Sequence, residues 1–132
     1  MTPLFPPRLR LRLHFGDDLT LGPGKAALLE HIRDAGSISE AGRRMGMSYK
    51  RAWSLVEEMN RAFRAPLVES ARGGAKGGGA VLTETGARVL AEFRALEALV
   101  LCEGAEGIAT IAALLSPEAE PAEAAPEASR SG

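Results

Sequence analysis

One cysteine, Cys102, and two histidines, His14 and His31, are all the thiol and imidazole chemistry in this chain. A single cysteine forms no intramolecular disulfide and builds no metal site alone, so a reducing compartment is the natural setting. No grouping of histidine, cysteine and carboxylate has metal-ligand or catalytic-triad spacing. The sequence therefore reads as a non-enzyme, with no catalytic residue, no metal ligand and no cofactor expected. Aromatic residues make up 5%, with one tryptophan and one tyrosine. Neither charge sign dominates, since 16 Lys and Arg face 17 Asp and Glu. No apolar run reaches membrane-spanning length and the N-terminus carries no signal-peptide core, which points to a cytoplasmic protein without a membrane partner.

A hydrophobic content of 45% over 132 residues is enough for one domain with a real core. The charge is unevenly spread. Between Ser37 and Leu82 eight basic residues (Arg43, Arg44, Lys50, Arg51, Arg61, Arg64, Arg72, Lys76) stand against four acidic ones (Glu40, Glu57, Glu58, Glu69). That local excess gives the middle of the chain a field that attracts anions.

From Arg8 to Phe15 apolar and polar residues alternate, which predicts a half-buried strand with Leu9, Leu11, Leu13 and Phe15 inward and His14 in solvent. Gly16, Asp17 and Asp18 turn the chain, and Leu19 to Leu21 fit a short returning strand. After Gly22 and Pro23, the spacing of Ala26, Leu28, Leu29 and Ile32 predicts a helix ended by Gly36. Ser37 with Glu40 forms a capping box for a short second helix to about Met45. Gly46 turns, and Ser48 caps a third helix with Ala52, Val56, Met59 and Phe63 buried and Lys50, Ser54, Glu57 and Arg61 opposite.

Pro66 ends that helix and Leu67 and Val68 open a strand to about Arg72. The glycine-rich run from Gly73 to Gly79 joins it to a return strand at Ala80 to Leu82, making a β-wing. Thr83 caps a long helix reaching about Leu101, whose apolar residues span a wider arc than one packing surface requires. Val89, Phe93, Leu96 and Val100 on it are the expected dimerisation residues, and Cys102 reads as a small core residue. Ile108, Ile111, Leu114 and Leu115 suggest a short further helix. The Ala-, Glu-, Pro- and Ser-rich end has no large apolar residue and is expected to be disordered.

The fold class is thus α+β, mainly α: a winged helix-turn-helix with an N-terminal strand or hairpin and a long C-terminal dimerisation helix. Residues 1–7 are expected as a flexible N-terminus, 8–82 as the winged unit, 83–115 as the dimerisation helix with its extension, and 116–132 as a disordered tail. Two crossing helices with a wing form a DNA-reading unit, because a helix fits the major groove while the hairpin reaches the flanking phosphates. Winged-helix units also bind proteins, so a protein-interaction module acting with a separate effector-sensing subunit is the alternative.

The run Ser48-Tyr49-Lys50-Arg51-Ala52-Trp53 followed by Met59-Asn60 resembles the recognition helix of the molybdate-responsive ModE-type regulators. Gly36-Ser37-Ile38-Ser39, the wing from Gly73 to Thr83, and Gly86 are similar to the same family's DNA-binding half. LysR-type regulators share the layout more distantly, including Pro66-Leu67 and the segment from Leu82-Thr83 to Gly86. The resemblance covers about Leu9 to Leu101 and implies a sequence-specific regulator that binds a two-fold symmetric DNA operator as a homodimer, linked to molybdate or another metal oxyanion. Molybdate-sensing members carry a C-terminal oxyanion-binding domain. Here the matching residues give way to the polar tail, so direct molybdate binding is not expected and the effector is unknown.

For double-stranded DNA the candidate contacts are Ser48, Tyr49, Lys50, Arg51, Trp53, Ser54 and Arg61 on the third helix, with Arg72 and Lys76 at the wing. Lys50 fits a guanine edge or a phosphate, with Ser54 and Arg61 on its face, whereas Arg51 fits a phosphate. Tyr49 and Trp53 lie on one flank of the buried stripe, and the sequence leaves open whether Trp53 packs at the core edge or faces DNA. Arg43 and Arg44 are expected to meet phosphate or solvent. The glycine-rich wing lacks the Gly-Lys-Ser/Thr order of a nucleotide-binding phosphate loop, since Lys76 precedes Gly77.

Overall fold

A computed structural model describes residues 7–71 and 79–116. The expected flexible start, the wing tip with Arg72 and Lys76, and the tail from residue 117 onward lie outside the described residues. The elements in order are β1 (Leu13–Phe15), β2 (Leu19–Leu21), α1 (Pro23–Ala35), α2 (Ile38–Arg44), α3 (Tyr49–Ala62), β3 (Val68–Ala71), β4 (Gly79–Leu82), α4 (Glu84–Glu103) and α5 (Ala105–Ala113). The strands form two antiparallel hairpins, β1 with β2 and β3 with β4, rather than one sheet. This is the α+β, mainly helical, winged helix-turn-helix arrangement.

Local chemistry sets the boundaries. Pro23 opens α1, where its missing N–H costs nothing, and Gly36 closes it at φ 72°, with its N–H donating to the Ile32 carbonyl. The Ser37 hydroxyl accepts from the Glu40 N–H at 2.9 Å and starts α2. The capping box is only half formed, because the Glu40 carboxylate accepts from Arg43 and Arg44 instead of reaching back. Gly46 at φ 73° turns the chain between α2 and α3, and the Ser48 hydroxyl accepts from the Arg51 N–H at 3.0 Å.

The core gathers on α1, whose Leu28, Leu29 and Ile32 are fully buried and which packs against α2, β4 and α4. Ala52, Val56 and Met59 of α3 and Leu90 and Phe93 of α4 complete it. A partly exposed ion pair also ties α1 to α4: Arg94 donates to both oxygens of Glu30 at 2.8 and 2.9 Å and to Glu97 at 2.8 Å. The Arg94 hydrogen bonds hold the Glu30 carboxyl below the usual glutamate range, against a smaller opposing effect of burial.

Four expectations need correction, the first being Phe93, expected at the dimer interface but 1% exposed within the domain's own core. The strand predicted from Arg8 is regular only from Leu13. Its partner β2 is three residues long and gives way to Gly22 and Pro23, so residues 8–12 have no strand to pair with. Phe15, placed inward by alternation, is 54% exposed at the hairpin end. Cys102 is exposed rather than in the core, because the buried residues of α4 (Gly86, Leu90, Phe93) all lie in its first half and Cys102 lies well beyond them.

Candidate nucleic-acid interface

The third helix presents three strips to its surroundings, as its periodicity of about 100° per residue requires. Ala52, Val56 and Met59 are buried. On the opposite side Lys50, Ser54 and Arg61 form an exposed ridge within an arc of about 40° by that periodicity. Lys50 has no acidic partner among the described residues, and Arg61 lies 3.8 Å from Glu57.

On one flank of the ridge, Tyr49, Trp53 and Asn60 line an open groove of about 480 Å³ whose other wall is β3 and β4 of the wing. Tyr49 is 55% and Trp53 45% exposed, so neither is a core-edge residue. The unresolved choice for Trp53 falls on the side of the surface. Glu57 and Glu69 also line this groove, which makes it acidic in character. On the other flank, Arg51 is exposed and faces the segment before β1. Ser48 is engaged as the helix cap. Arg43 and Arg44, expected to meet phosphate or solvent, are both paired with Glu40 on their own helix.

The wing is fixed in place by contacts that the sequence had not predicted. Asn60 donates to the Val68 carbonyl at 3.0 Å, and its oxygen accepts from the Leu67 and Val68 N–H groups at 2.8 and 3.2 Å. Thr83, expected only as a helix cap, also donates to the Pro66 carbonyl at 2.7 Å while accepting from the Gly86 N–H. The Ala80 N–H donates to the Gly36 carbonyl at 2.9 Å, which anchors β4 to the turn between α1 and α2. A Cβ at Gly86 would collide with the Leu67 carbonyl oxygen, so only glycine lets α4 start so close to the strand. A polar residue near the end of the helix, six positions before Pro66, was the one available signal for Asn60.

Residues 25–87 match the family model of bacterial regulatory helix-turn-helix proteins of the lysR family. The molybdenum-pterin-binding protein MopB of Rhodobacter capsulatus is 49% identical over 78 residues, 59% of this chain and 29% of that protein. The DNA-binding transcriptional dual regulator ModE of Escherichia coli K12 is 45% identical over 80 residues, 61% of this chain and 30% of that protein. This region is similar to the helix-turn-helix part of ModE-type regulators. The molybdenum transport protein ModE of Azotobacter vinelandii extends the match to 88 residues at 40% identity, 67% of this chain and 33% of that protein. The chain thus spans about a third or less of the length of these relatives. Among the described residues, no helix is long and apolar enough to cross a membrane.

Proposed function

We propose that this chain is a sequence-specific DNA-binding transcriptional regulator of the ModE type, acting in the cytoplasm on genes of molybdenum or other metal-oxyanion homeostasis. The observation that carries the reading is the exposed ridge of Lys50, Ser54 and Arg61, set between a wing on one flank and Arg51 on the other. A helix with such an exposed face fits the major groove, and its lysine, without an acidic partner among the described residues, has the donors a guanine edge accepts. Arg51, and Arg72 and Lys76 from the loop joining β3 to β4, are assigned to phosphates, which position the protein without reading sequence. Tyr49 and Trp53 stand beside the ridge, where their half-exposed rings suit contact with the DNA backbone.

The reading includes a homodimer on a two-fold symmetric operator, with the effector unassigned. Selection of genomic fragments by the purified protein supplies the operator. Lys50→Ala is then expected to weaken operator binding by about 1–3 kcal/mol and random-sequence binding far less. Equal loss on both duplexes would remove Lys50 from the role of reader, and failure of the wild type to enrich any fragment would overturn the DNA reading itself.

A further inference from the structure

The flank of α3 away from the wing carries a second groove, of about 240 Å³, walled by Arg10, Arg12, Lys25 and Arg51. Its charge is unlike that of the wing-side groove. Lys25 is engaged by Glu58 at 3.4 Å, but Arg10, Arg12 and Arg51 have no acidic partner among the described residues. Three uncompensated guanidinium groups therefore border one concavity and repel one another, an arrangement that favours an anion between them.

Gly22 shapes the groove. Its φ of −143° is ordinary extended backbone, so conformation does not demand glycine here. Space is tight: a Cβ would stand 3.0 Å from Arg12 Cγ and 3.6 Å from Arg12 Nε, so the arginine stem would have to shift by a few tenths of an ångström to admit one. The bare glycine lets the Arg12 stem lie across the start of α1, beside the first turns of α3. Residues 8–12 lie outside regular secondary structure, yet Leu11 packs against the core, which holds the arginines on either side of it near the groove.

Resting on the DNA reading above, we infer that Arg10 and Arg12 join Arg51 to clamp neighbouring backbone phosphates of double-stranded DNA on the side of the reading helix opposite the wing. The segment before β1 is then a second arm, and the protein holds the duplex from both flanks of α3. The ligand is DNA phosphate rather than a free anion because the groove opens beside the ridge that enters the major groove, where a strand's phosphates run past.

The test is a salt titration of binding to a random-sequence duplex, since phosphate contacts are independent of sequence and no operator is needed. Each phosphate contact contributes about 0.9 to the slope of log K against log salt, so Arg10→Gln/Arg12→Gln should flatten the slope by up to about two units. Arg10→Lys/Arg12→Lys should keep most of the slope, because a lysine also neutralises phosphate. Thermal melts monitored by circular dichroism check folding; if the double variant does not fold, Arg10→Gln alone should flatten the slope by about one unit. An unchanged slope in a folded glutamine variant overturns the clamp and leaves the DNA reading standing. Calorimetry with inorganic phosphate at fixed ionic strength supplies the other arm: tight phosphate binding lost in the glutamine variant, with the DNA slope unchanged, makes the groove a free-anion site and overturns the inference. A wild type that binds no duplex overturns both readings.

Discussion

Arg94 shows how a single side chain on the long helix serves the core without entering it. Its guanidinium bridges Glu30 of α1 and Glu97 of its own helix, with the Arg94 and Glu30 side chains each about a third exposed (35% and 33%). Water screens such a pair, so Arg94→Gln is expected to cost only about 1 kcal/mol, measured by urea unfolding near neutral pH. The pH dependence follows from Glu30, whose carboxyl is held below its ordinary value of 4.5 by the Arg94 hydrogen bonds. A lowered folded value means that the bridge stabilises fully above the unfolded value and loses its effect as pH falls through the folded one. The gap between wild type and Arg94→Gln should therefore close in acid. A gap that stays constant through the acid range would show that Arg94 acts through packing of its stem and not through Glu30.

Elements were legible wherever the sequence carried its own punctuation. Gly36, Gly46, Ser37, Ser48 and Thr83 mark helix ends that the structure places as expected, because caps and positive-φ turns depend on local chemistry. The strand at residues 8–12 was misread because alternation reports which side chains are apolar, not whether a partner strand is present. Trp53 was undecidable because its exposure depends on where the wing stands. The ridge of Lys50, Ser54 and Arg61 followed directly from helical periodicity, whereas the second basic groove needs the fold to bring residues 10 and 12 beside residue 51.

The wing depends on Asn60 in a way that can be measured. Asn60→Ala strips the partner from the N–H groups of Leu67 and Val68, both buried residues, at a cost of about 1–3 kcal/mol for each donor left unsatisfied. Denaturant unfolding should show a loss of that order, and hydrogen exchange should show the two amides losing protection before those of α1. Equal loss of protection across the molecule would mean that Asn60 supports the whole core and not the junction of helix and wing.

At the scale of the molecule, α4 and α5 leave apolar surface uncovered among the described residues. The buried residues of α4 stop at Phe93, and α5 buries none of its own. Leu99 is 55%, Ile111 67% and Leu114 80% exposed, a concentration of apolar surface beyond scattered single residues. A nine-residue helix is too short to persist in water without tertiary packing, which becomes reliable only above about 12–15 residues. A second copy of the chain would cover both features. The sequence reading placed Phe93 in the interface, but Phe93 is 1% exposed and belongs to the domain's own core, and Val89 packs partly against that core. Leu96, at 38% exposure, stays available, while Val100 is half-buried. Leu99→Asp/Ile111→Asp is therefore expected to convert a dimer into a folded monomer, read as a halved mass in light scattering with an unchanged circular dichroism spectrum of the core. Phe93→Asp should instead unfold the domain. The monomeric variant should also lose the salt slope of one half-site when binding a symmetric operator, because only one copy then neutralises phosphates. A wild type that is already monomeric at micromolar concentration, with α5 amides protected from exchange, would show that the apolar surface is covered within the chain and would remove the basis for a two-fold operator.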